Sequence, residues 1–237
     1  MLTFQNLSNS YAQANNTEAA LYNIGISSII SGIGSVINKD KDEKLGKSLL
    51  NGMGKGALGG YIIFESKRIL REVQRQQVLE YSWPSKITNA IGTSIVENGA
   101  SNRGFFDQMN LNIGFLRLEV HAKEHFKVKP KIAPIELAFF IGAYSQSKFE
   151  PMLSLRTGQF IFSSATSRWE ETNSNGIALP GIIVFKRSIQ DQSRLTQIIS
   201  HEIIHLYQHQ DYNGFNAYLN KPLTRLSEKS PTFDALN

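Results

Sequence analysis

The run His201-Glu202-Ile203-Ile204-His205 puts two imidazoles and a carboxylate within about one helical turn. On an α-helix, positions i and i+4 share a face, so His201 and His205 can converge on a single ion. The chain has no cysteine, so any metal must be held by His, Asp or Glu, and a pair of imidazoles suits Zn2+. Glu202 follows the first ligand and projects to one side of the two-histidine face. From there its carboxylate can act as general base on a water that the metal activates. Hydrolysis at a carbonyl is the chemistry this spacing predicts.

The residues around the motif are apolar: Ile198, Ile199, Ile203, Ile204 and Leu206. A helix so furnished is expected to be buried, and polar groups on it then need partners or a metal. The stretch His-Glu-Ile-Ile-His-Leu-Tyr-Gln resembles bacterial zincins with the pattern HExxHxxQ, and the resemblance is confined to this helix. It implies a zinc metallopeptidase-like hydrolase that acts on a peptide or protein substrate, with His201 and His205 as metal ligands and Glu202 as the catalytic base. In metzincins a third ligand lies ten residues after the first histidine. Asp211 occupies that offset here, but Gln208 stands where those proteins have glycine. In gluzincins a later glutamate serves, and the only acids after Asp211 are Glu228 and Asp234. The second candidate for third ligand is Glu97, an acid among small residues on an apolar helix. His209 shares the face of His205 but lies ~12 Å along the axis from His201, too far to join it on one ion. His121 and His125 also stand four apart, but in a charged stretch that reads as an exposed hairpin.

The elements that position this helix read as one α+β domain. N-terminal helices come first, with a glycine-rich helical hairpin over 19–64. A central antiparallel meander sheet follows, and the HExxH helix over 195–210 closes the domain. Residues 19–38 carry no charge, and Gly52, Gly56 and Gly60 recur at every fourth position, a stripe that admits a neighbouring backbone. Close helix packing also explains Gly54-Lys-Gly56-Ala-Leu-Gly59, which matches a dinucleotide-binding pattern without the strand that pattern requires. Further helices are expected over 61–80 and 86–101. The alternation in 111–122 predicts one strand with a bulge near Leu116, and three more strands are expected over 132–141, 152–163 and 177–186.

Residues 1–12 read in one of two ways, as the remnant of a signal peptide cleaved between Ala12 and Gln13, with 13–237 as the mature domain, or as a polar N-terminal arm. The net charge is +5 and the isoelectric point about 9.3. The basic residues are scattered, which suits anionic surfaces such as lipid headgroups or a cell wall and excludes a nucleic-acid stripe. The expected location is therefore the bacterial cell envelope, with a membrane surface or an envelope partner meeting residues 19–64. A second reading is a non-enzymatic envelope protein that keeps a zincin-like helix as part of a binding or assembly component.

Overall fold

In the computed structural model, which describes residues 16–122, 126–165 and 174–219, the chain opens on three long helices. These are α1 (Asn16–Ile37), α2 (Leu45–Gln76) and α3 (Ser82–Ala100). The expected break between 45–64 and 61–80 is absent, because nothing in 58–66 stops a helix, and α2 runs through to Gln76. Small residues set the packing. A Cβ on Gly52, Gly56 or Gly60 would run into the backbone or serines of α1, and one on Gly59 would lie 2.7 Å from the carbonyl oxygen of Gly92 in α3. Close approach lets serines bond across the interface: Ser35 and Ser48 each donate to the other's carbonyl at 2.8 Å, and Ser31 donates to Val96 O at 3.2 Å.

Next comes a three-stranded antiparallel sheet, β1 (Gln108–Ile113), β2 (Leu116–His121) and β3 (Lys127–Ile132), in that order. The single bulged strand expected over 111–122 is instead a hairpin, because Gly114 turns the chain with a left-handed φ of 57°. The sheet is packed by its polar face. Gln108, Asn110 and Glu119 are buried, whereas Val128 and Ile132 on the other face are 50% and 61% exposed. The reason lies in α3, whose last turns are polar. Ser94 accepts from Asn110 N at 2.8 Å and Asn98 donates to Gln108 O at 2.7 Å, so α3 side chains cap the free edge of β1.

The strand expected over 132–141 is a helix, α4 (Pro134–Gln146). Pro134 supplies a first-turn residue that needs no N–H partner, and an apolar run of this kind satisfies a helix packed on a sheet as well as a strand. The segment expected as a strand over 152–163 divides at Gly158, φ 68°, into α5 (Pro151–Thr157) and a strand. That strand, β5 (Phe160–Ser164), belongs to a second sheet with β4 (Lys148–Phe149), β6 (Gly176–Leu179) and β7 (Ile182–Lys186). The strand expected over 177–186 is the β6–β7 hairpin, turned by Pro180 and Gly181 at φ 78°. The order is β4-β5-β7-β6, and β5 and β7 run parallel, so the sheet region is two sheets rather than one meander.

Alternation through β5 and β7 decides what the second sheet carries. Phe162, Ile182 and Val184 face α4, through Phe140 and Ala143. Ile161, Ile183 and Phe185 face the other way, onto Ile199, Ile203, Leu206 and Tyr207 of α6 (Gln192–Gln210), the last α-helix among the described residues, with Leu70 and Val73 of α2 also in the cluster. Each such fully buried side chain contributes about 1.5–3 kcal/mol, so α6 is held firmly between the sheet and α2. A 3-10 turn, Asp211–Leu219, follows.

Candidate active site

α6 begins three residues before the expected start because Asp191 caps it, accepting from Ser193 N at 3.1 Å and Arg194 N at 3.3 Å. Its buried stripe runs through Thr196, Ile199, Ser200, Ile203, Leu206 and Tyr207, at the spacing of one helix face. That burial sets His201 and His205 on the exposed side, where their Nε2 atoms approach to 3.1 Å. His205 Nδ1 lies 2.9 Å from Gln208 Oε1. In the tautomer that donates from Nδ1 to this amide oxygen, the Nε2 lone pair faces His201. Partial burial, and then the neighbouring His205, lower the pKa of His201, which keeps its ring neutral and able to donate electrons to a metal.

Glu202 points to the other flank and is buried, with 7% of the residue exposed. Desolvation raises its pKa above the usual carboxylate range, against smaller opposing effects from His205 and the Ala178 backbone amide. β6 supplies that amide and comes close because it carries glycine at the crossing. A Cβ on Gly176 would fall 3.0 Å from Glu202 Oε1 and 2.7 Å from Ile198 Cγ2. Beside the carboxylate lies a cavity of about 310 Å³, walled by Ser174, Asn175, Gly176, Gln197, His201 and Glu202. The two imidazoles lie on the exposed face of α6, and the buried carboxylate and His201 border the recess.

Neither candidate third ligand joins them. Glu97 lies under the three-stranded sheet, where Arg117 clamps both its oxygens and Asn110 donates to it at 2.8 Å. Burial raises its pKa more than Arg117 lowers it. Asp211 caps the end of α6 and pairs with Lys67 of α2, again with a pKa raised by burial. Among the described residues no three His, Asp or Glu side chains come together as a metal cluster. His209 is exposed on the last turn of α6, and His121 ends β2 beside Glu119, 3.7 Å away. His125, Glu228, Asp234 and the Ala12–Gln13 junction lie outside the described residues. Reading the sequence missed the parts played by Gly176, Ala178 and Gln208. Only Gln208 carried a signal, three positions after His205 and so one turn along the same face.

No family model, curated protein or solved structure matches this chain.

Proposed function

We propose that the chain is a zinc-dependent hydrolase of peptide bonds, with His201 and His205 as ligands and Glu202 as general base. One observation carries the reading, the 3.1 Å between the two Nε2 atoms. Two nitrogens bound to a tetrahedral zinc at the usual bond length stand ~3.3 Å apart, so the imidazoles already have the spacing of half such a site. When bound, zinc would polarise a carbonyl and make a water acidic. Glu202 would serve as the proton acceptor for a water attacking the carbonyl carbon and would return that proton to the leaving nitrogen. A peptide is favoured as substrate by β6, the edge strand of its sheet among the described residues, which runs past Glu202 and on which an extended chain can pair.

Attachment of the α1–α2 pair to a membrane or an envelope partner is supported by its inverted polarity. Ser27, Ser31, Ser35 and Ser48 are buried inside the pair, while Leu21, Ile29 and Leu50 are 63%, 57% and 70% exposed. Among the described helices only α1 is long and apolar enough to cross a bilayer by length and composition. Export, with cleavage between Ala12 and Gln13, fits this placement. Sequencing the N-terminus of the native protein tests it, and a protein still beginning at Met1 in the cytosol would reject it.

The rival reading, a non-enzymatic envelope protein with a zincin-like helix, draws on the missing third donor among the described residues. A peptide-library digest separates the two. The zinc-loaded chain should cleave and the chelated chain should not, with activity returning on adding zinc. No cleavage under any metal condition would leave the binding role.

A further inference from the structure

A second cavity, of about 430 Å³, lies between the polar face of the three-stranded sheet and the end of α3, away from the recess beside Glu202. Four cationic side chains line it, Arg103, Arg117, Lys129 and Lys131, against two acids, Glu97 and Glu119. Both acids are already engaged. Glu97 is held through both oxygens by Arg117. Glu119 accepts from Arg117 Nε at 3.0 Å with one oxygen and from Lys131 Nζ at 2.9 Å with the other.

That leaves two cations over. Lys129 stands directly across the ladder from Glu119, yet the carboxylate turns along the strands to Arg117 and Lys131, and Lys129 makes no ion pair among the described residues. Arg103 donates to Gln108 Oε1, a neutral acceptor, and forms no salt bridge among the described residues, although the charges of Glu97, Glu119 and Asp107 reach it through space. His121 Nε2 also faces this space, shut off from solvent and without a hydrogen-bond partner. A half-enclosed excess of positive over negative side chains is costly, and a planar guanidinium near an ammonium that makes no salt bridge is an arrangement that recognises oxyanions.

We propose that this cavity binds a phosphate-type dianion carried on a small molecule, with Arg103 and Lys129 as its charge partners and His121 as a hydrogen-bond partner. Two surplus charges match a dianion, whereas one carboxylate would neutralise only half of them. The volume exceeds what bare phosphate fills and falls in the range of small-molecule sites.

Calorimetric titration of the full chain with inorganic phosphate and with pyrophosphate tests this, with sodium chloride at matched ionic strength and succinate as controls. Saturable binding at one site is expected, weakened about tenfold or more in Arg103→Gln and in Lys129→Gln, the scale of a lost charged hydrogen bond. Lys129 sits on the sheet's edge strand, so its variant keeps the fold even should Arg103→Gln not. Binding should persist in His201→Ala, which separates this site from the proposed zinc site. Absence of saturable binding, reproduction of the heat by chloride, equal affinity for succinate, or loss in His201→Ala with retention in Lys129→Gln would each overturn the proposal.

Discussion

Asp211 closes against the ammonium of Lys67 where the helix bearing His201 and His205 ends, and Lys67 also donates to Asn23 Oδ1 at 2.8 Å. One lysine thereby ties α1, α2 and the end of α6 together. The carboxylate that sequence spacing offered to a metal serves as a strut. Asp211→Ala, which removes both the charge and the acceptor that Lys67 closes on, should accordingly lower stability by about 3 kcal/mol, the scale for breaking a buried pair, and leave zinc content unchanged. Urea unfolding and metal analysis of the same sample check both halves. Loss of zinc at unchanged stability would return Asp211 to the ligand set.

His201→Ala and His205→Ala should each remove bound zinc, from about one ion per chain to a small fraction, since either change halves the imidazole pair. Both side chains are exposed, so folding should be little affected. Metal analysis after dialysis, beside circular dichroism, measures the two effects. Full metal content in both variants would remove the basis of the proposed function.

Glu202→Gln should keep zinc and lower any hydrolytic rate about a hundredfold or more, the scale of a lost general base. In the metal-free chain, burial holds the Glu202 carboxyl above its ordinary pKa. The same shift bears on stability. A carboxyl whose pKa is higher folded than unfolded binds more protons folded, so its contribution weakens as pH rises from the unfolded pKa through the folded one. Metal-free Glu202→Gln should therefore melt higher than metal-free wild type at neutral pH, and the two should converge in acid. A thermal melt series over pH would contradict this if the variant were the less stable at every pH.

Gly176→Ala tests the contact that holds β6 against α6. The added methyl meets Ile198 and the Glu202 carboxylate, so either the strand or the side chain must move. Overpacking of this kind costs about 1–3 kcal/mol, and activity should fall further than stability because the displaced group is the base itself. Zinc content should hold, since the atoms nearest the added methyl belong to Ile198 and Glu202 and not to an imidazole. Unaltered kinetics would show that β6 does not position Glu202.

Much of the candidate site was legible because its information is local. Two histidines four apart share a helix face wherever that helix lies, and the apolar residues between them dictate which side is buried. The α+β class and the small-residue faces of α1 and α2 are local in the same sense, written in composition and period. Partners drawn from elsewhere in the chain were not legible. Glu97 and Asp211 both looked like unclaimed acids until folding brought Arg117 and Lys67 to them, and no spacing rule encodes a pairing between residues on separate elements. The same limit explains the reading of 132–141 as a strand. Its apolar residues suit either period, and packing of Phe140 and Ala143 on the second sheet selects the helix. The inverted orientation of the three-stranded sheet was likewise beyond the sequence: alternation marks two faces, but only the polar end of α3 decided that the polar one turns inward.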